Sequence, residues 1–366
     1  MEDIPTELVV EILLRLPWTS RRRARLVCRS WRDLVHQRTT EMEQCRDAVP
    51  LVVTTESTYV LDDQDQETCI PRDLWTDQHM DAYKDMEVVG VCNGVLCLCD
   101  DTKPGGAITL INPATGDTLA LPSIPRHGLF RRHNSRRTDR SWHQAYSFGY
   151  HHGTGQYKVV HVPCFFKTKE TVQVFTVGEA SWREVPAPNM KCRLDAGLVS
   201  VNGASYWVTE GAQERIMSID LKSERLKPTK ALPMRDGPIC QLAEVQRRLR
   251  TLTSDTYYMI KVWVLESNAK EQTWICQYSL SVSHGANNHV TGPNIILFGY
   301  DLIHGGQGQK LYRYLHTPVN YETSSEGKAV TRYCSKRVLV PHIRGHILHT
   351  FAYIKTTEAL SVHRRW

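Results

Sequence analysis

The sequence predicts an α+β, multidomain protein in which a small three-helix module, residues 1–40, precedes an all-β propeller of about six four-stranded blades, residues 41–366. Three observations lead to this prediction. Helical signals are dense in the first forty of the 366 residues and are not found elsewhere. Beyond residue 50, short apolar runs alternate with turn dipeptides. These runs recur at intervals of about 40 to 50 residues, which is typical of propeller blades.

The composition is that of a soluble globular chain, with 41% hydrophobic and 23% charged residues. These fractions exclude a collagen-like, wholly disordered or coiled-coil protein. No apolar run approaches the roughly 18 residues that a membrane-spanning helix needs. The first five residues are acidic where a secretion signal would be basic, and the chain contains no Asn-x-Ser/Thr sequon. We therefore expect a protein of the cytoplasm, the nucleus or both.

Eleven cysteines lie between Cys28 and Cys334 without a repeating spacing, and we expect them to be reduced thiols. Cys92, Cys97 and Cys99 come nearest to a zinc-binding pattern. Cys97 and Cys99, however, alternate onto one face of a predicted strand, where small thiols pack well. We therefore expect no metal site there and no cofactor.

The first helix is predicted to begin near Thr6 and to end before Pro17, which cannot donate a helical hydrogen bond. Its polar residues, Glu7, Glu11 and Arg15, are spaced by four and form one narrow ridge. The other positions are apolar: Leu8, Val9, Val10, Ile12, Leu13, Leu14 and Leu16. They cover about three quarters of the helix circumference, which is more than a single packing contact needs. This helix therefore requires cover on two sides.

A second helix is predicted after Ser20, with apolar residues at spacings of three and four. They are Ala24, Val27, Cys28, Trp31, Leu34 and Val35. A module of about forty residues lies near or below the size at which a lone core is stable. The pattern favours a partner protein as the missing cover, and the alternative is that the module docks on the rest of its own chain.

The module resembles an F-box in the form common in plants. The resemblance is carried by Ile4-Pro5-Thr6-Glu7-Leu8, then Ile12-Leu13-x-Arg15-Leu16-Pro17, then Arg25-Leu26-Val27-Cys28-Arg29-Ser30-Trp31-Arg32-Asp33-Leu34. It implies a three-helix module that binds the Skp-type linker subunit, and through it the cullin, of an SCF ubiquitin ligase. By the same resemblance the linker-binding residues are Pro5, Leu8, Ile12, Leu13 and Leu16, with Val27 and Trp31 completing the small core. Arg21 and Arg22 depart from the pattern, since many relatives carry leucines there.

Two Asn-Gly pairs, Asn93-Gly94 and Asn202-Gly203, lie between strand-like runs and predict tight hairpins. A second unit follows such hairpins: an alternating run, a polar turn, and a run that ends near Leu-Pro or Val-Pro. It starts at residues 108, 172, 216, 260 and 311. Two stacked β-sandwiches would explain the strands but not this recurrence, so a propeller is the favoured architecture.

These units also resemble the F-box-associated, kelch-like β-propeller that follows the F-box in many plant proteins, notably at Cys92-Asn93-Gly94-Val95-Leu96-Cys97 and Asn112-Pro113-Ala114-Thr115-Gly116. Five blades are expected between residues 90 and 334. The two remaining hairpin-like segments, 51–61 and 347–362, are expected to pair as a sixth blade and so remove the edges of an open array. Residues 62–87 are expected to be an irregular excursion.

Charge is distributed unevenly along the chain. Residues 41–101 hold 15 acidic and 3 basic side chains, a net of −12, whereas residues 126–140 hold six arginines against one aspartate. We expect residues 126–140 to form a mobile, solvated loop. This loop is also a candidate for part of a substrate-binding surface, through Arg131, Arg132, Arg136 and Arg137.

The sequence contains no nucleophile elbow, His-Glu-x-x-His helix or Walker loop. His342, His346 and His349 would share a face only in a helix, and their β context argues against a metal site. We therefore expect a non-catalytic adaptor, whose helical module holds a ubiquitin ligase and whose propeller holds an unidentified protein substrate. The alternative is a binder of nucleic acid or another acidic ligand that uses the Arg-rich stretch, which lacks interleaved aromatic residues for base stacking. Its residues are Arg131, Arg132, His133, Arg136, Arg137 and Arg140.

Overall fold

The structure is a computed structural model of the 366-residue chain. It describes most of the chain between residues 49 and 356 and a few N-terminal positions. The described residues are 6–15, 24, 27–28, 31, 34, 49–65, 68–76, 81–125, 142–162, 171–187, 192–210, 214–232, 239–245, 247–254, 259–267, 272–281, 289–291, 296–302, 309–323, 329–340, 343–345, 347–356 and 360.

The predicted first helix is present as α1, Thr6–Arg15. Ala24, Trp31 and Leu34 of the predicted second helix are helical, but Val27 and Cys28 between them are not, so the helix is not continuous there. Apart from these residues and α1, the module lies outside the described residues. Among the described helices, none has the length and apolar character needed to cross a bilayer.

The described strands form six antiparallel four-stranded sheets, five of which are blades of four consecutive strands. Blade I consists of β4 (Glu87–Cys92), β5 (Val95–Asp100), β6 (Ala107–Ile111) and β7 (Thr118–Ala120). Blade II consists of β8 (Tyr146–His151), β9 (Gln156–His161), β10 (Thr171–Thr176) and β11 (Arg183–Pro186). Blade III consists of β12 (Val199–Val201), β13 (Ala204–Val208), β14 (Ile216–Asp220) and β15 (Leu226–Pro228).

Blades IV and V complete the run of consecutive strands. Blade IV consists of β16 (Ile239–Val245), β17 (Arg248–Ser254), β18 (Met259–Ser267) and β19 (Gln272–Ser281). Blade V consists of β20 (His289–Thr291), β21 (Ile296–Leu302), β22 (Gln309–Thr323) and β23 (Ala329–Val340). The five sequence units that start at 108, 172, 216, 260 and 311 correspond to β6, β10, β14, β18 and β22, so each unit marks the third strand of a blade.

Five blades, not six, are built from consecutive strands, and the remaining sheet combines the two ends of the propeller. This closing sheet has the order β24-β1-β2-β3. Its strands are β1 (Val49–Thr54), β2 (Thr58–Asp65), β3 (Thr68–Asp73) and β24 (Ile347–Tyr353). The predicted pairing of the two ends is confirmed, since Val49 to Thr54 pair with Tyr353 back to Ile347.

The composition of the closing sheet differs from the prediction of two paired hairpins. Three strands come from the N-terminal side and one from the C-terminal side. The expected irregular excursion at 62–87 is wrong because it contains the end of β2 and all of β3. Pro71 made this segment look like a loop in the sequence. Proline is tolerated in β3 because β3 is the outer edge strand of its sheet, where an N–H donor is not required.

The first strands of the sheets contact one another in a closed cycle. β4 contacts β8, β8 contacts β12, β12 contacts β16, β16 contacts β20, β20 contacts β24, and β24 contacts β4. The cores lie between neighbouring sheets, as the clusters shared by blades I and II and by the closing sheet and blade I show. Further clusters join blade II to blade III and blade III to blade IV.

The chain that follows β24 crosses blade I. The Asn112 side-chain amide donates to the Thr356 carbonyl at 3.1 Å, and the Leu360 N–H donates to Asp117 Oδ2 at 3.3 Å. Leu360 is buried in the core cluster between blades I and II. The C-terminal segment therefore fastens the closing sheet to blade I and reaches the next interface.

Candidate partner-binding surfaces

The N-terminal module has a small core of its own. Val9, Leu13 and Ala24 are buried together, and Trp31 and Leu34 pack against them half-buried. Val9 and Leu13 are four residues apart in α1, so they form one ridge on the helix. One ridge of α1 is thereby covered by the module itself.

A second apolar ridge of the same helix is open. Leu8 is 51% exposed and Ile12 is 50% exposed, and Val27 beyond the helix is 65% exposed. Large aliphatic side chains are expected inside a protein, so a paired i, i+4 ridge left in solvent indicates a contact surface. The prediction that α1 needs cover on two sides agrees with this arrangement, since the described chain covers only one of them.

The structure gives the burial of two predicted site residues in the module. Leu13 was expected on the linker contact, but it is fully buried against Val9 and Ala24. Val27 was expected to complete the core, but it is exposed, whereas Trp31 does pack against the core. The burial depends on which ridge of α1 the rest of the module covers. The spacing of apolar residues in α1 alone does not show this.

The remaining predicted contact residues lie outside the described residues. They are Pro5, Leu16, the variant positions Arg21 and Arg22, and the whole Arg-rich stretch 126–140 with Arg131, Arg132, His133, Arg136, Arg137 and Arg140. The described chain stops at Pro125 and resumes at Trp142.

On the propeller, polar side chains gather at the end where the first and second strands of each blade are joined. Asn93-Gly94 and Asn202-Gly203 form the predicted hairpin turns, with φ of 51° and 77° in one and 49° and 76° in the other. These left-handed pairs are the geometry of a type I′ turn. In blade IV the second turn position is Arg247, with φ of 60°.

Contacts join the turns of three successive blades. The Arg247 guanidinium contacts His152 Nε2 of blade II at 2.6 Å, and the Asn202 amide of blade III donates to the Arg247 carbonyl at 2.5 Å. Leu221 N–H donates to the Gly203 carbonyl at 2.8 Å, which brings the outer turn of blade III beside its inner turn. We call these residues the turn cluster: His151, His152, Asn202, Gly203, Leu221 to Arg225, and Arg247.

Glu224 links the turn cluster to blade II. Its carboxylate accepts hydrogen bonds from Lys158 Nζ at 2.6 Å and from Arg183 Nε at 3.0 Å, and Arg183 is also paired with Glu179. Partial burial raises the pKa of Glu224, but the hydrogen bonds from Arg183 and Lys158 outweigh burial and hold that pKa below its usual value. Lys158 is almost fully buried, so this ion pair is a fixed structural link between blades II and III.

Glu224 also occupies a strained backbone position, with φ of 54°. The corresponding turn of blade I has the same hydrogen bonds: Gly116 N–H donates to the Asn112 carbonyl as Glu224 N–H donates to the Asp220 carbonyl. Glu224 therefore stands where blade I has a glycine, and Arg247 stands where blades I and III have Gly94 and Gly203. Both residues could have been found from the sequence by aligning the equivalent turns of different blades, because each is a charged residue at a position where another blade has glycine.

Of the residues considered for metal binding, Cys92, Cys97, Cys99 and His349 are described, whereas His342 and His346 lie outside the described residues. Cys97 and Cys99 are buried in the cluster between blades I and II, and burial raises the pKa of both thiols. His143 Nδ1 lies 2.6 Å from Asp101 Oδ2, and His349 approaches His143 edge-on at 6.1 Å between ring centroids. The residues that the structure describes contain no group of three metal-ligating side chains.

Comparisons with known proteins agree with both parts of the chain. Residues 52–301 match the F-box associated β-propeller domain, and residues 1–40 match an F-box-like domain. An F-box protein of Arabidopsis thaliana is 25% identical over 320 residues, covering 76% of this chain and 73% of its own. An F-box/LRR-repeat protein of the same plant is 24% identical over 301 residues, covering 77% of this chain and 68% of its own. An F-box/kelch-repeat protein, also from this plant, is 23% identical over 292 residues, with coverage of 77% and 68%.

Proposed function

The chain belongs to the F-box associated β-propeller family and carries an F-box-like domain at residues 1–40, and from this premise we propose that it is a substrate-recognition adaptor of an SCF-type ubiquitin ligase. In this function the F-box binds the Skp-type linker, which binds the cullin. The propeller binds a protein substrate and raises its effective concentration near the ubiquitin-charged enzyme. In this proposal the chain is a non-catalytic subunit of the ligase and acts in the cytoplasm, the nucleus or both.

The observation that carries this proposal is the open ridge of Leu8 and Ile12 beside a core that the module fills with Val9 and Leu13. Fully burying such a side chain contributes about 1.5–3 kcal/mol. Leu8 and Ile12 are half-exposed, so about half of that remains for each to gain in a complex. Pro5, Leu16, Val27 and Trp31 extend the proposed contact, whereas Leu13 supports it from within the module core.

The closing sheet supports a role for the propeller as a rigid holder. β24 pairs with β1, and the cycle of contacts between first strands includes the closing sheet. We propose that this sheet acts as the sixth blade and removes the open edges that would otherwise pair with other chains. Arg131, Arg132, Arg136 and Arg137 are proposed to add to substrate binding.

The linker contact is tested by co-purification of the full chain with a Skp-type subunit. The double variant Leu8→Asp, Ile12→Asp places two charges on the open ridge and should abolish co-purification, because an unpaired buried charge costs several kcal/mol. The control Thr6→Asp adds an acid at an exposed position in the first turn of the same helix and should bind normally. Undiminished recovery of the subunit with the double variant would show that the contact lies elsewhere. Thermal unfolding of the propeller should be the same for all three proteins.

A further inference from the structure

The acidic side chains of the turn cluster and its neighbours are occupied by contacts within the chain. Asp220 Oδ1 accepts the N–H groups of Lys222 at 3.0 Å and Ser223 at 2.6 Å. Glu224 is held by Lys158 and Arg183. Glu244 Oε1 accepts the Arg247 N–H at 2.5 Å. Their negative charges therefore face hydrogen-bond donors and cations of the propeller.

Two cations beside these acids face solvent. Lys222 and Arg225 are exposed, and neither forms an ion pair with any residue in the described ranges. They flank Glu224 in one turn, and the contact of Leu221 with Gly203 places that turn beside the turn that contacts Arg247. The surface therefore presents positive charge although the turns contain acids.

Backbone strain is a second and independent observation at this surface. Glu224 and Arg247 are non-glycine residues in the left-handed region, with φ of 54° and 60°. Such positions cost conformational free energy, and residues of this kind cluster at ligand clamps and switch regions. Equivalent turns form with Gly116, Gly94 and Gly203, so the turns alone do not require a charged side chain. Both strained residues extend to blade II and fix the three blades relative to one another.

We propose that the turn cluster is the surface on which the propeller holds its substrate, and that it recognises a protein segment rich in Asp and Glu. The proposal rests on the proposed adaptor function and specifies the face and the chemistry of its substrate. Lys222, Arg225 and the Arg247 guanidinium attract and pair with the carboxylates of that segment. Glu224 keeps the turn in place through Lys158 and Arg183 and does not contact the substrate.

Binding is measured by fluorescence anisotropy between the full chain and a short labelled peptide in which Asp and Glu alternate with Ser. The double variant Lys222→Glu, Arg225→Glu should weaken binding about tenfold or more, since it replaces two attractions by two repulsions. The matched control is Lys103→Glu, Arg344→Glu, which makes the same change in net charge at exposed turns on the opposite end of the strands. The control should bind the peptide with an affinity within about twofold of that of the parent, and this difference measures the general effect of net charge.

A further variant guards against misfolding of the turn. Arg247→Gly removes the guanidinium but supplies the residue that tolerates positive φ, so the turn is retained. It should also weaken peptide binding, while its thermal unfolding stays close to that of the parent because the relief of backbone strain offsets the lost contact with His152. The proposal is overturned if the two double variants weaken binding equally, or if neither does. It is also overturned if a single-stranded oligoribonucleotide of the same net charge binds more tightly than the peptide and depends on Lys222 and Arg225.

Failure of this proposal is distinguishable from failure of the adaptor function. Lys222→Glu, Arg225→Glu should co-purify with a Skp-type subunit as the parent does, because the variant leaves Leu8 and Ile12 unchanged. A variant that loses the acidic peptide and keeps the subunit supports both proposals. The opposite result is also informative. If Leu8→Asp, Ile12→Asp loses the subunit but peptide binding does not depend on Lys222 and Arg225, the adaptor function is supported and the turn cluster is excluded as its substrate surface.

Discussion

Truncation of Leu360 tests whether the C-terminal crossing holds the propeller together. Leu360 is 2% exposed and belongs to the core cluster of blades I and II. Replacing a buried leucine by alanine removes transfer free energy and leaves a cavity, at a cost of about 2–5 kcal/mol. The C-terminal segment is held to blade I by hydrogen bonds that involve the Asn112 and Asp117 side chains, so it can shift toward the cavity left by the truncated side chain. We therefore expect the lower part of the range, about 2–3 kcal/mol.

The free energy of unfolding is measured by urea titration of the full chain, followed by tryptophan fluorescence. The control is Ile275→Ala, which trims an aliphatic side chain that is 44% exposed on the edge strand β19. The control should change the free energy of unfolding by no more than about 0.5 kcal/mol. If Leu360→Ala and Ile275→Ala lose the same small amount, the crossing does not stabilise the interface between blades I and II.

Two further predictions concern buried positions of the blades. Burial lowers the pKa of His161 from 6.5 to about 4, so the unfolded chain binds a proton between these pH values that the folded chain does not. The contribution of His161 to the free energy of unfolding should be complete above pH 6.5 and should fall by about 3 kcal/mol toward pH 4. Urea titrations at several pH values should show that the free energy of unfolding of His161→Phe changes less with pH than that of the parent. The same pH dependence in both proteins would exclude His161 as the cause. Gly94→Ala should destabilise far more than Gly116→Ala, because both have positive φ but only at Gly94 would a Cβ meet the Ile354 carbonyl and Thr356; equal losses in thermal unfolding would contradict this reasoning.

Local chemistry explains why much of the propeller could be predicted from the sequence. The Asn93-Gly94 and Asn202-Gly203 turns need left-handed φ at two successive residues, and Asn-Gly is the pair that supplies it. The recurring units also share a long-range contact. The Trp182 indole donates to the Pro122 carbonyl at 2.8 Å, and the Trp274 indole donates to the Lys230 carbonyl at 2.8 Å. In both cases the tryptophan of one blade caps the segment that leaves the preceding blade.

The closing sheet was harder to predict because its pairing joins distant parts of the chain. The contact of β1 with β24 was predicted from the need to cover sheet edges, and the structure confirms it. β3 was missed because Pro71 and nearby acids read as a loop, and only its place at the sheet edge makes that composition acceptable. Local propensity cannot report whether a strand lies at an edge or at the centre of a sheet.

The helical module shows a different limit. The sequence of α1 indicates two apolar ridges but not which one the module uses for its own core. Packing against Ala24 and Trp31 selects the ridge of Val9 and Leu13, and this choice leaves Leu8 and Ile12 open. A single helix carries no information about the phase of its neighbours, so the sequence did not show that Leu13 lies in the module core.

The repeated blades also provide an internal comparison for function. Glycine at Gly94, Gly203 and Gly116 shows what each turn needs for its backbone alone, at no steric cost. Glu224 and Arg247 adopt the same conformation at a cost, so the benefit must come from contacts that glycine cannot make. Those contacts reach blade II in both cases. A blade that has a charged residue where the equivalent turn of another blade has glycine therefore differs from that blade in its surface contacts. Such positions are candidates for a specific binding surface.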